Sequence, residues 1–495
     1  MTLQAGIAGL RGTVDQQEAN LNPATLLSYA QAFGVWVKQT YPRPTVVLGR
    51  DGRNSAPMVA DVVRAGLVSV GCRVVDLGLT LTPTVQFTLR QQAHIHAGVM
   101  VTASHNPPQW NGLKFLNDQG LFLSAADWEA LETCRRELCA PEWPLDQVPA
   151  VVTLPDAFTA HQQAVLRILP TAAIQARRFR VALDACNSGA VLWQEFLAAL
   201  GCEVVACHTE LHGYFSREPE PLPAHLETLK RLVRVAHCDL GFAADPDGDR
   251  LVLVDERGEA VNEEHTVVLC ARERLSRYPN GTLVVNTVTT HALEAAFPEA
   301  KIVRTAVGEM HVVAGVQTHE AILGGEGSGG IIVPQVHLAR DGMAAMGLIL
   351  SLLATTGCSL SALIQEIPPW RSVKCQLALT GDTRSRLRTL LRHWQEEGPQ
   401  LTIQNQHISF RHPEGQLSLA WTGNEVILHT DFPHVGTHTT RVHHPELGQL
   451  WQRFDPNQVT LSTTDGIKLS TPHAWFSLRP ANTEPILRLT GEYRA

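Results

Sequence analysis

Short apolar runs alternate with helix-period stretches through most of the first 370 residues. Residues 45–48 read as a buried strand, and 55–70 carry the spacing of an amphipathic helix with Ser55 as the predicted N-cap. Residues 73–77 and 96–101 read as further strands. The pattern restarts at 180–183, with a loop at 186–189 and a helix over 191–200, and again at 283–286, followed by a helix around 292–297. Such units predict repeated α/β domains with buried, largely parallel sheets. The repeat is one of pattern, not of residues. Prolines and polar residues break the periodicity near Pro149, beyond Glu256 and at 368–370, which sets predicted domains at 1–148, 149–256, 257–370 and 371–495.

After Trp370 the pattern changes. A helix over 384–397 precedes a stretch rich in Thr, Gln and His, with His407, His412, His429, His434, His438, His443 and His444. His434 and His438 have HxxxH spacing, but Pro433 and Gly436 oppose a helix there and no cysteine pair accompanies them. The stretch reads as solvated loops and strand edges.

Composition narrows the class. A chain of 495 residues exceeds one hydrophobic core, and 44% hydrophobic with 18% charged residues is globular composition. No apolar run approaches the roughly 20 residues of a membrane span, and the first residues lack the pattern of a signal peptide. A net charge of −8 without a long basic run argues against a nucleic-acid surface. Ten scattered cysteines without a CxxC pair fit buried thiols in a reducing compartment. The expectation is a cytoplasmic protein, monomer or homodimer, with neither nucleic-acid nor membrane partners.

Four segments carry chemistry. In Val101-Thr-Ala-Ser-His-Asn-Pro-Pro, a strand ends and two prolines stop its continuation, so Ser104 is presented on a rigid loop where open α/β sheets place ligands. His105 and Lys114 offer a proton acceptor and a positive charge nearby; the competing reading is a Pro-stopped loop with a capping serine. In Ala244-Asp-Pro-Asp-Gly-Asp-Arg, Asp245, Asp247 and Asp249 alternate in a tight loop between two strands, and Pro246 and Gly248 permit the bend that turns them toward one hard cation. Without His or Cys in the cluster, Mg²⁺ is expected. An EF-hand is rejected, because Arg250 stands where the turn glycine is needed and the flanks are strands.

The third segment, Gly325-Glu-Gly-Ser-Gly-Gly, matches GxGxxG after a strand-like run at 321–323, but Ile331-Ile-Val-Pro follows instead of a helix. It reads as a loop offering Glu326 and Ser328 to sugar hydroxyls, with Arg340 as a cation downstream. The fourth, Arg479-Pro-Ala-Asn-Thr-Glu-Pro with Arg488, joins two guanidinium groups to a hydroxyl, which suits a phosphate dianion; an Arg–Glu salt bridge in a loop is the alternative. Gly9-Leu-Arg-Gly adds Arg11 between glycines.

In this order and spacing the segments resemble the α-D-phosphohexomutase family of phosphoglucomutases, phosphomannomutases and phosphoglucosamine mutases, over essentially the whole chain. The resemblance implies an isomerase with four domains around a central cleft, three related α/β domains with mixed sheets and a C-terminal α+β domain. It implies a phosphorylated Ser104, Mg²⁺ held by Ser104, Asp245, Asp247 and Asp249, and Arg11, Lys114, His105 and Arg250 around the transferring group. Glu326, Ser328 and Arg340 would face the sugar, and Arg479, Asn482, Thr483 and Arg488 its idle phosphate. The implied reaction interconverts hexose 6-phosphate and hexose 1-phosphate through a hexose 1,6-bisphosphate, which also serves as activator.

Three departures stand out. Many bacterial members carry histidine where Gly330 stands, which shifts acid/base work toward Lys114, His105 or His337. Ala8 replaces a serine, and Ala481-Asn482 replaces Ser-Gly. The sugar loop looks like that of archaeal-type phosphoglucosamine mutases, and a glucosamine phosphate is the favoured substrate. Phosphomannomutase/phosphoglucomutase or broad activity, a non-catalytic sugar-phosphate-binding homologue, and a phosphatase are the alternatives. The last domain is longer than usual, with the His-rich stretch as the apparent insertion.

Overall fold

The structure, a computed structural model, describes residues 3–7, 9–14, 21–138, 148–433, 435–481 and 486–495. The chain forms two compact units. The first comprises Met1–Val284, Ala300–Val303 and Glu309–Glu366, and the second Val285–Glu299, Arg304–Gly308 and Ile367–Ala495. No helix among the described residues is long and apolar enough to cross a membrane, and every described cysteine is a free thiol.

The first sheet has seven strands. Thr45–Arg50 pairs in parallel with Arg73–Leu79 and with Ala97–Val101, and Ala97–Val101 pairs antiparallel with Trp110–Leu116. The second sheet sets Arg180–Asp184 in parallel with Glu203–Cys207 and Leu240–Ala244, then closes antiparallel on Leu251–Val254. The third contains the antiparallel pair Leu323–Glu326 and Gly330–Ile332. These sheets are therefore mixed rather than largely parallel. The antiparallel strands follow directly after the chemically marked loops, because a hairpin is the shortest way to return the chain across a ligand site.

Local corrections have simple causes. Helix Ala56–Ser69 starts after Ser55, but the Ser55 hydroxyl makes no capping bond and instead accepts from Asn111 Nδ2 at 2.9 Å. The expected helix over 191–200 is a 3₁₀ turn, Gly189–Leu192, followed by Trp193–Ala199. The strand expected at 321–323 is Leu323–Glu326, so the glycine-rich segment begins inside a strand.

The second unit contains two antiparallel five-stranded sheets. One runs Trp370–Ala378, Ile486–Arg494, Ala474–Pro480, Ile467–Ser470, Thr460–Ser462; the other is a meander from Gln400–Gln404 to Gly436–His443. His407, His412, His429, His438 and His443 thus stand in strands, His438 and His443 on the edge strand Gly436–His443 as expected, and none of the five in a loop. In Glu425–Phe432, Val426, Leu428, Thr430 and Phe432 turn inward while His429 and Asp431 turn out. His434 lies outside the described residues. Both sheets and helix Gly381–Glu397 share one core, in which Val373, Leu377, Leu387, Trp394, Phe410, Leu419, Trp421 and Phe476 are buried together.

Candidate active site

Ser104 lies three residues beyond strand Ala97–Val101, and it is buried at 2% exposure. Its φ of +51° is left-handed, a conformation costly for a residue with a Cβ. The surrounding contacts overdetermine it. Ser104 N–H donates to Thr102 Oγ1 at 2.8 Å, and Thr102 Oγ1 donates to Asp51 Oδ2 at 2.7 Å. Asp51 in turn accepts Arg53 Nε at 3.0 Å, both side chains being fully buried. The Arg53 guanidinium then donates to four carbonyls of the serine loop: Ser104 (2.5 Å), Asn106 (2.8 Å), Pro107 (2.7 Å) and Trp110 (3.0 Å).

Reasoning from sequence does not single out Asp51 and Arg53, although Arg-Asp-Gly-Arg at the end of a buried strand is a visible signal. Arg53→Lys removes the planar fork that reaches all four carbonyls. It is expected to lower kcat about 10- to 100-fold while KM changes little, because a slightly misplaced reacting group loses rate rather than affinity. Steady-state kinetics with circular dichroism as a folding control checks this; a pure KM effect would overturn it.

The acidic trio sits on the tight turn between Leu240–Ala244 and Leu251–Val254. Gly248, at φ +70°, makes that turn, and a Cβ there would meet Leu81 Cδ2 at 2.5 Å. Asp245 and Asp247 are fully buried and Asp249 is 1% exposed. Ser104 Oγ lies 3.2 Å from Asp245 Oδ2. Lys114, returned by the antiparallel strand opposite Met100, reaches Asp247 at 2.6 Å and Asp249 at 3.1 Å. Thr82 Oγ1 donates to Asp247 Oδ2 at 2.5 Å.

The electrostatics are those of a crowded anionic centre. Burial, then Asp249 and Asp247, push the Asp245 carboxyl well above its usual range. Burial opposes ionisation of Asp249 as well, but Arg340 and Lys114 hold it below the usual range. Burial likewise disfavours the Lys114 ammonium, yet Asp247 and Asp249 outweigh it and keep Lys114 charged. His105 Nδ1 stands 3.3 Å from Ser104 Oγ, and Arg250, burial and Arg11 push its imidazole down to about 2, so it is neutral and can accept but not donate as a cation. Arg11 donates to Asn106 Oδ1 at 3.2 Å, while Arg250 pairs with Glu220 at 3.1 Å and lies 3.9 Å from Asp249.

Three groups among the described residues bring potential metal ligands within 4.8 Å of one another. In the group His161, His337 and Asp341, the carboxylate caps helix Gly342–Thr356 and accepts from both imidazoles, at 2.9 and 3.2 Å. His337 is thereby engaged with Asp341. In the second group, Asp184 is neutralised by Arg217 at 2.9 Å. Of the three groups, the trio alone retains orphaned carboxylate oxygens, Asp247 Oδ1 and Asp249 Oδ1, buried without hydrogen-bond partners. Three carboxylates with such oxygens fit a hard divalent cation.

Arg340 joins this centre to the sugar loop. Its guanidinium bonds Asp249 (2.7 Å), Glu309 (2.8 Å) and Glu326 (2.9 Å). Glu309, from the first turn of helix Glu309–Thr318, carries no motif that marks it in the sequence. Ser328 lies half-buried on the turn between Leu323–Glu326 and Gly330–Ile332.

In the second unit, Arg479 and Arg488 occupy directly opposed positions of an antiparallel pair, with their side chains on one face. Arg479 lies 3.6 Å from Asp465 and lines a cavity of about 510 Å³ with Arg388 and Arg392. Asn482 and Thr483, like Ala8, lie outside the described residues.

Three family profiles match the chain: phosphoglucomutase/phosphomannomutase alpha/beta/alpha domain I over residues 2–138, domain II over 157–258 and domain III over 262–370. A Methanopyrus kandleri protein named "probable phosphoglucosamine mutase" is 29% identical over 496 residues, covering 98% of this chain and 93% of the relative. A Thermococcus kodakarensis protein named phosphoglucomutase/phosphomannomutase is 32% identical over 404 residues, 77% of this chain and 83% of the relative. Among solved structures, a phosphoglucomutase/phosphomannomutase family protein of Burkholderia thailandensis shares the fold at a TM-score of 0.73 and 22% identity, covering 99% of this chain and 92% of its own.

Proposed function

Since this chain belongs to the phosphoglucomutase/phosphomannomutase family and is a phosphohexomutase of the isomerase class, we propose that it moves phosphate between O6 and O1 of a hexose through a phosphorylated Ser104, with glucosamine phosphate as preferred substrate. One observation carries the mechanism: the Ser104 hydroxyl stands 3.2 Å from a buried carboxylate trio that keeps two oxygens unsatisfied. A phosphate dianion there needs positive charge, since buried like charges a few ångströms apart repel strongly.

Asp245, Asp247 and Asp249 would hold Mg²⁺, which when bound would neutralise the transferring phosphoryl group. Lys114 and Arg11 supply fixed positive charge beside it, and Arg53 keeps the serine oxygen in place. His105, held neutral, offers a nitrogen acceptor 3.3 Å from Ser104 Oγ. Glu326, oriented by Arg340, and Ser328 read sugar hydroxyls. Arg479 and Arg488, with Asn482 and Thr483, grip the idle phosphate. Ser104 donates its phosphate to the sugar hydroxyl, giving a hexose 1,6-bisphosphate. After reorientation the serine oxygen recovers the other phosphate, so phosphorus and charge balance over the cycle.

The glucosamine preference is supported by the Gly-Glu-Gly-Ser-Gly-Gly loop and by the name of the Methanopyrus kandleri relative. The name of the Thermococcus kodakarensis relative favours a second reading, phosphomannomutase/phosphoglucomutase activity. Coupled assays on glucosamine, mannose and glucose phosphates, with Mg²⁺ and a trace of hexose 1,6-bisphosphate, are expected to give the highest kcat/KM on the glucosamine pair. A higher value on mannose or glucose phosphate selects the second reading, and inorganic phosphate release without isomer formation refutes both.

A further inference from the structure

Gly330 opens the strand Gly330–Ile332 outside the left-handed region, unlike its neighbour Gly329 at φ +83°. Backbone conformation therefore does not require glycine at 330. Space does. A Cβ on residue 330 would stand 2.4 Å from Cδ of Arg340 and 3.1 Å from its Cγ. The backbone bridge between Ile332 and Arg340 lays the Arg340 stem along this strand. The stem cannot step aside cheaply, because its guanidinium is pinned by Asp249, Glu309 and Glu326 at 2.7 to 2.9 Å.

We propose that Gly330 and Arg340 act as one unit: the missing side chain at 330 is the passage through which Arg340 reaches the three carboxylates, and its guanidinium serves as the cation of the sugar loop. Gly330 is then a positioning residue acting through Arg340. The consequence for the reaction, which rests on the mutase reading above, is a division of labour. A guanidinium stays protonated throughout the working pH range, so it can donate hydrogen bonds and hold charge but cannot exchange protons. A histidine at 330 would offer a titrating group instead. Position 330 and Arg340 therefore contribute orientation rather than acid/base chemistry, and the loop is coupled to the acidic trio because Arg340 holds Asp249 and Glu326 at once.

The test is a double-mutant cycle of Gly330→Ala and Arg340→Ala, read by kcat/KM and by thermal unfolding. Gly330→Ala is expected to lower kcat/KM at least about 30-fold, since it displaces a group that sets substrate orientation. Arg340→Ala should fall further, and the double variant should lie within about threefold of Arg340→Ala, because the added methyl then collides with nothing. In unfolding, the penalty of Gly330→Ala should vanish once Arg340 is removed. The pairing is overturned if Gly330→Ala is harmless to kcat/KM, or if its unfolding penalty is the same with and without Arg340. Should the unaltered enzyme isomerise no hexose phosphate, the functional reading fails, while the unfolding cycle still decides the pairing.

Discussion

Ser104→Ala is expected to lower mutase turnover at least about 10⁴-fold and to leave no phosphate on the protein. The size follows from the chemistry: without the hydroxyl there is no covalent relay, and loss of an individual member of a catalytic unit lowers activity by several orders of magnitude. The fold should survive. Alanine inherits the same φ of +51°, and the bonds that impose it run through the backbone and through Thr102, Asp51 and Arg53. Unfolding temperature should therefore change by no more than a few degrees. Intact-protein mass spectrometry on enzyme incubated with a hexose bisphosphate gives the direct readout. Retained turnover in the alanine variant, or phosphate found on another residue, would remove the mechanism.

Asp245→Asn should produce a second large effect with a paradoxical sign in stability. The variant keeps the shape but removes one of three negative charges whose oxygens lie within 4.8 Å in a fully buried turn. In the metal-free protein that relieves repulsion, so the unfolding temperature is expected to rise by a few degrees. The direction agrees with the carboxyl of Asp245, which burial, Asp249 and Asp247 drive toward its protonated form. A group whose folded pKa is raised costs stability once pH exceeds its unfolded value, and asparagine escapes that cost. Activity should nonetheless fall at least about 10³-fold, and the stabilisation that millimolar Mg²⁺ gives the unaltered protein should disappear. Differential scanning fluorimetry with and without Mg²⁺, beside the coupled assay, checks both signs. A variant that still gains stability from Mg²⁺ would relocate the metal site.

Ser104 and the acidic trio are legible in the sequence because each motif is local: a strand ends, a proline or glycine bends the chain, and the reactive side chains lie within a few residues. The triple grip of Arg340 is not legible in full. Its partners Asp249, Glu309 and Glu326 come from a turn, a helix start and a strand, and only folding brings them together. Arg53 escapes notice for a different reason: the Arg-Asp-Gly-Arg signal shows its Asp51 partner, but its four bonds to the serine loop go to main-chain oxygens, which no side-chain pattern records. The histidine-rich stretch misleads through composition. Alternation of Leu428, Thr430 and Phe432 with His429 and Asp431 is present, but the histidines draw the reading toward solvated loops and strand edges. Parallel pairing is over-weighted because apolar runs mark burial on both faces without saying which way a neighbour runs.

The shared interior of the C-terminal unit bears on how this chain can be shortened. Phe410, Leu419 and Trp421 of the meander pack in the same cluster as Leu387, Trp394 and Phe476. Excising 400–443 would strip the lining from that interior and leave indole and leucine surfaces facing solvent. The meander is thus no detachable ornament. A trimmed chain should become sticky and misassemble rather than fold as a smaller protein, and the whole unit should melt in a single transition.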